Sequence, residues 1–138
     1  MRTIIVILLI LSGTSAFAFD IDTIRVGRCD MEVMVMSTPT EHASGMLGFT
    51  ERSFPYGGML FKMGKRGRKI FHTMGMSMNI RIMGVNQTSN GSYNVLTDVY
   101  NGKPNIKQIP IDAPDILEIP ESKYQMYYKR CLQAKEAM

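Results

Sequence analysis

The sequence predicts a mainly β domain, a compact sandwich or barrel with one short helix after its first strand and an amphipathic helix at the C-terminus. Three observations lead there. Short apolar stretches rich in β-branched residues recur along the chain, separated by clusters of Gly, Pro and Asn. Only two segments carry helical signals. The length of 138 residues suits a single core. The 45% hydrophobic fraction excludes a disordered chain, and 20% charged residues fit a globular one. Two cysteines are too few for a disulfide scaffold or a four-cysteine zinc site.

The elements follow in order. Arg2 precedes an unbroken apolar run from Ile4 to Leu11, then small polar residues, then Ala16-Phe17-Ala18. That is the three-part layout of a secretory leader with cleavage after Ala18. The run is far shorter than the ~20 residues a membrane-spanning helix needs. Residues 19–138 then form one β-rich domain, and loss of Arg2 lowers the formal net charge from +4 to +3. Export leads to a periplasmic or secreted protein that does not span the membrane, in a compartment where an even cysteine count favours pairing. A Cys29–Cys131 bridge would close a loop worth ~4–5 kcal/mol in the chain-entropy account. Two separate thiols are the alternative.

Met31 to Met36 reads as a strand. Thr38, Pro39 and Glu41 match a helix cap, a first helical proline and a capping box. The helix should reach about Leu47 and stop at Gly48. Residues 50–58 hold Pro55, Gly57 and Gly58 and form a loop. Gly58 to Phe61 is a buried strand. Lys62, Lys65, Arg66, Arg68 and Lys69 crowd a basic hairpin tip or loop. Ile70 to Val85 reads as extended, with breaks near Gly75 and Gly84. Asn90-Gly91 marks a turn. Tyr93 to Tyr100 is a strand, residues 101–110 a loop, and Ile116 to Ile119 a strand stopped by Pro120. Tyr124, Tyr127, Tyr128, Cys131 and Leu132 fall at helical spacing, predicting a C-terminal helix over residues 122–137.

Three blocks carry a resemblance. They are Thr38-Pro39-Thr40-Glu41-His42-Ala43-Ser44-Gly45-Met46-Leu47, then Gly58-Met59-Leu60-Phe61, then the segment from Ile70 to Ile80 containing His72-Thr73-Met74-Gly75-Met76. Ile116-Leu117-Glu118-Ile119-Pro120 adds a fourth word. In this order and spacing, over residues 31–120, they resemble the small bacterial and archaeal proteins of domain-of-unknown-function family 192. The resemblance implies a compact β-rich domain with a small helix, often exported, of no established activity. Departures are His42 for the family's Arg, Ser77 for Arg, Asn79 for Pro and Arg81 for Asp. A charge pair between those last Arg and Asp positions is therefore absent here.

Several groups are candidates for a ligand pocket. His72 and Thr73 sit with Met76, Arg81 and Glu118 inside family-like words, and Gly45 and Gly58 let backbone approach closely. His72 suits a general base or a hydrogen-bond donor; its alternative is a buried histidine held by one backbone bond. If residues 70–80 form a strand, His72, Met74, Met76 and Met78 share one face and offer soft ligands for Cu(I). A core stripe is the other reading, favoured because Met fills irregular gaps. Met34, Met36, Met46, Met59 and Met63 read as filler too. The basic residues Lys62, Lys65, Arg66, Arg68 and Lys69 suit an anion or a solvated loop. They lack the interleaved aromatics of a nucleic-acid platform, so no nucleic acid is expected. Asn86-Gln87-Thr88 and Asn90-Gly91-Ser92 are glycosylation sequons where the host secretes through an endoplasmic reticulum. No metalloprotease motif or paired-carboxylate pattern is present, and no cofactor or resident metal is implied. The expectation is an exported, non-enzymatic domain that binds a ligand or partner in the cell envelope. A hydrolase using His72 and Thr73, and a Cu(I) protein, are the alternatives.

Overall fold

The computed structural model describes residues 20–127 together with Arg130 and Cys131. The leader and most of the helix expected beyond Tyr127, including Tyr128 and Leu132, lie outside the described residues. Nine strands and two helices follow in chain order: β1 (Asp20–Val26), β2 (Cys29–Met36), α1 (Pro39–Ser44), β3 (Gly58–Lys62), β4 (Arg68–Phe71), β5 (Ile80–Gln87), β6 (Tyr93–Val95), β7 (Tyr100–Gly102), β8 (Ile109–Asp112), β9 (Asp115–Pro120) and α2 (Glu121–Tyr127). Six strands close into a barrel in the order β6-β1-β2-β3-β9-β5, and β5 returns to β6 to seal it. Closure removes the exposed edges of an open sheet. The fold class expected from sequence is the one observed, in its barrel form.

Strand β5 makes the closure possible. One edge pairs with β9 from Ile80 to Val85. Its other edge is shared, with β7 taking Ile80–Ile82 and β6 taking Val85–Gln87. Strands β1 and β2 form a hairpin through Gly27-Arg28, with Val26 opposite Cys29. Strands β2 and β3 run parallel and need a crossover, which α1 and residues 45–57 supply.

Two cores result from the alternation of side chains across the sheet. The inner one takes residues from all six barrel strands, among them Ile24, Val33, Leu60, Leu117, Val85 and Tyr93. Residues one position away, Met34, Met36, Met59, Phe61, Ile80, Ile82 and Ile116, build an outer core on the other face of β2, β3, β9 and β5. Met46 and Phe54 of the crossover, Met76, Met78, and Ile109 and Ile111 of β8 cover it. Strands covered on both faces read as near-continuous apolar runs, which is why Gly58–Phe61 and, but for Glu118, Ile116–Ile119 stood out in the sequence.

Several boundaries differ from expectation. Helix α1 ends at Ser44 rather than near Leu47, because Gly45 adopts φ +46 and accommodates the reversal in the C-cap. The capping box at Thr38 and Glu41 forms as expected. Residues 70–85 are not continuous: β4 ends at Phe71, residues 72–79 are irregular, and β5 passes Gly84 without a break. Of the two readings of the basic segment, hairpin tip or loop, the loop is the one observed: residues 63–67 join two sheets, with Lys62 ending β3 and Arg68 and Lys69 opening β4, which pairs with β8. The Asp115 carboxylate causes this by accepting from the Met63 and Gly64 amides at 2.9 and 3.1 Å, which turns the chain out of β3. Residues 93–100 split into β6 and the start of β7, and β8 occupies the end of the segment expected as loop. Strand β1 was missed, its outward positions being polar and exposed.

Cys29 and Cys131 form a disulfide, with Cα atoms 5.5 Å apart across a sequence separation of 102. Beside it, α2 sends Tyr124 into the inner core, and the Tyr127 hydroxyl donates to the Val26 carbonyl. Among the described residues no helix is long and apolar enough to cross a membrane. Replacing both cysteines with alanine is expected to lower unfolding free energy by ~4–5 kcal/mol, the loop-closure value. Urea unfolding under non-reducing conditions measures it, and a loss below ~1 kcal/mol would deny the bridge that role.

Candidate functional site

The outer core has one polar intruder. Glu118 lies in the middle of β9, opposite Met59 on β3 and Ile82 on β5. It is only 1% exposed, and its Oε2 atom has no hydrogen-bond partner. Burial alone pushes its carboxyl up to about 8, so it holds its proton at neutral pH. The outer-core residues on the flanking strands, Met59, Phe61, Ile80 and Ile82, are all apolar. An unpartnered buried carboxyl costs stability, and such groups mark candidate sites when they meet a cleft.

Glu118 does meet one. A cleft of about 250 Å³ is lined by Glu118, His42, Gly45, Phe61, Lys69, Phe71, His72, Met63 and Met76 among others. The walls come from separate elements. Helix α1 brings His42, whose ring stands 5.9 Å from that of Phe61. The two phenylalanines meet edge to face at 5.6 Å. His42 Nε2 lies 2.8 Å from the Met36 carbonyl. A carbonyl only accepts, so Nε2 is the donor in this contact. The opposite holds at His72, where Nδ1 accepts from the Met74 amide at 3.2 Å. The neutral His72 ring therefore presents Nε2–H as a donor. The site thus holds a histidine donor and a carboxylic acid around an apolar space.

Four of the seven ligand-pocket candidates, His72, Met76, Gly45 and Glu118, line this cleft, as does Lys69 of the basic segment. Others lie elsewhere. Thr73 is fully buried and structural: its hydroxyl donates to the Lys103 carbonyl and accepts from the Ile106 amide at 2.9 Å. Its backbone also exchanges bonds with Asn105 and Ile106. That hydroxyl is committed to backbone partners on residues 103 and 106. Arg81 is outside the cleft, bidentate to Glu121 and 5.1 Å from the Tyr124 ring, and it pins α2 to the barrel. The pair holds the Glu121 carboxyl below its ordinary range. Gly58 stands behind the site; a Cβ there would lie 2.9 Å from the Glu118 carbonyl oxygen.

The methionine stripe is corrected as well. Residues 72–79 form no strand, so His72, Met74, Met76 and Met78 share no sheet face. Met76 and Met78 are buried in the outer core, while His72 and Met74 are exposed. Met34, Met36, Met46 and Met59 are buried and Met63 packs at the margin of the same core. Among the described residues no three His, Cys, Asp or Glu side chains group to hold a metal ion. Of the basic residues, Lys62, Lys65, Arg66 and Arg68 are exposed. Lys69 is not available to an anion, because its ammonium donates to the carbonyls of Lys65, Gly67 and Ala113.

Sequence reasoning missed His42, Phe61 and Phe71 as neighbours of His72. A signal for His42 existed: it is the chain's second histidine and departs from the family pattern. A wider hollow of about 350 Å³ lies beside the disulfide. Its Lys123 ammonium is occupied by the Phe54 and Tyr56 carbonyls, and its lining contains no buried side-chain atom without a partner.

No family model and no curated relative matches the chain. Two solved structures share its fold. A Sinorhizobium meliloti protein described as a candidate transcription regulator is 15% identical, with a TM-score of 0.62 over 80% of this chain and 88% of its own. A Novosphingobium aromaticivorans protein of unknown function is 19% identical, with a TM-score of 0.60 over 83% of this chain and 81% of its own. At these identities the likeness shows the fold alone.

The Glu118 carboxyl makes stability depend on pH. Its folded value of about 8 exceeds the ordinary 4.5. Between those values the folded protein keeps a proton that the unfolded chain releases, so stability falls as pH rises, by ~1.4 kcal/mol per pH unit for one group. Above about 8 the loss is complete. Urea unfolding across this window should show the decline, and Glu118→Gln should flatten it. Thr73→Val should cost about 1–3 kcal/mol through its orphaned partners, whereas His72→Ala should stay within ~0.5 kcal/mol.

Proposed function

We propose that this is an exported, non-enzymatic β-barrel domain that binds a small ligand in the Glu118 cleft. The observation that carries the reading is the neutral, unpartnered Glu118 carboxyl at a cleft framed by His42 and His72. A group with that desolvation cost serves no packing purpose that Leu would not serve better, but a ligand with a matching polar atom would satisfy it. The leader-like N-terminus and the disulfide support the exported part, since such bridges persist in oxidising compartments. The four blocks of family-like sequence support placing it with domain-of-unknown-function family 192.

Against an enzyme stand the commitment of the Thr73 hydroxyl and the absence of a hydrogen bond between His72 and any carboxylate among the described residues. The Cu(I) reading loses its motivation with the strand that would have aligned its four residues.

Expressed with its own N-terminus in a secreting bacterial host, the protein should be recovered from the periplasm beginning at Phe19. An intact leader on a cytoplasmic product would refute export. Native mass spectrometry of the protein after incubation with a small-molecule extract of the envelope should show an adduct that Glu118→Leu abolishes. Turnover of an envelope polymer by the wild-type protein, lost in His72→Ala, would instead establish an enzyme.

A further inference from the structure

The charge around the cleft selects among ligands. The basic loop begins and ends in its lining: Met63 and Lys69 both belong to the wall. Between and beside them Lys62, Lys65, Arg66 and Arg68 are exposed. Among the described residues none of these four forms an ion pair. Lys69 is different, its ammonium being spent on three carbonyls that hold the loop in shape. Asp112, exposed and opposite Arg68 on β8, offsets one of these four charges, so the loop beside the cleft keeps a positive excess, which favours the approach of anions over cations.

The interior offers hydrogen-bond donors to match. The ionisable groups around Glu118 are His42 from α1, Lys69 from β4 and His72 from residues 72–79. Its cross-strand neighbours on β3 and β5, Met59 and Ile82, are apolar. As an acid, Glu118 is a donor that does not repel an anion. Nε2–H of His72 is a second donor. Phe61, Phe71, Met63 and Met76 supply apolar walls, and the two thioether chains are flexible enough to shift around a guest. A space of about 250 Å³ admits a molecule of a few carbons.

We propose that the cleft takes a small monocarboxylate with an apolar body, the carboxylate accepting from the Glu118 acid and from His72 while the body lies against Phe61 and Phe71. An O–H···O⁻ bond is charge-assisted and among the stronger neutral-to-ion contacts. Lys65, Arg66 and Arg68 raise the rate of encounter without touching the bound molecule. This rests on the Glu118 cleft being a ligand site, and it adds the chemistry of the guest.

The test uses three chain-matched probes, hexanoate, hexylammonium and hexanol, titrated into the protein carrying methyl-labelled methionine and followed by NMR. Hexanoate should give saturable shifts at Met63 and Met76, and hexylammonium none. From about pH 6.5 to about pH 9.5 hexanoate should weaken by about tenfold or more, as Glu118 ionises and becomes a repelling carboxylate. Glu118→Gln keeps a neutral donor at every pH, so it should bind hexanoate with that pH dependence removed. Its thermal melt shows whether it folds. Substituting Lys65, Arg66 and Arg68 with glutamine should slow association and reduce its salt dependence, leaving dissociation unchanged. Tighter binding of hexylammonium than of hexanoate, or of hexanol alone, at Met63 and Met76 would overturn the carboxylate assignment while preserving a ligand site. If none of the three moves those methyls, both fall.

Discussion

The sheet wall formed by β3, β9 and β5 is covered on both sides, and the rest of the molecule follows from that. Closing the barrel buries one face of these strands, and the crossover, residues 72–79 and β8 bury the other. No position on β9 is left to water: every residue from Asp115 to Pro120 is buried. A strand in that situation must be apolar at every position or must satisfy each polar group from within. Asp115 meets the second condition through the Met63 and Gly64 amides. Glu118 meets neither on its unpartnered oxygen. The same double covering that stabilises the barrel therefore makes one carboxyl conspicuous.

Where sequence and structure agree, the reason is this double burial. Val33–Met36 and Gly58–Phe61 are apolar at successive positions, and Ile116–Ile119 at all but Glu118, because these strands are covered on both faces, and a short apolar run between turn residues is a strong signal. The capping box around Thr38 is local chemistry and was readable for that reason. The failures are tertiary. Strand β1 has Asp20, Asp22 and Arg25 on exposed positions and shows only Ile24 and Val26 as buried residues. Strand β8 carries Pro110, which belongs on an edge strand and argued for a loop. The alternation His72, Met74, Met76, Met78 mimicked a strand although no neighbour was placed to pair with it. Its backbone is instead anchored through Thr73 to residues 103–106.

For the candidate site, the sequence showed members without their arrangement. His72, Gly45, Met76 and Glu118 stand in three separate blocks, and only the closing of the sheet brings them to one cleft. Arg81 looked like a site residue because it replaces a family carboxylate, yet its guanidinium is used to hold α2 through Glu121. Nothing in its own segment announces a partner forty residues away. The basic residues divide similarly: one of five has become a staple for its own loop. Composition alone does not separate the ammonium that ties backbone from those that face solvent.

The disulfide has a topological result beyond its share of stability. Cys29 and Cys131 join the start of β2 to the chain just beyond α2, so the crossover, the basic loop and seven strands from β3 to β9 all sit within one covalent ring. A protease that cuts anywhere in that ring severs the polypeptide without releasing a fragment. The two pieces stay tethered, and their complementary faces remain at the high local concentration that favours reassembly. A single clip at residues 62–69, between the two cysteines, would then leave a nicked barrel, not debris.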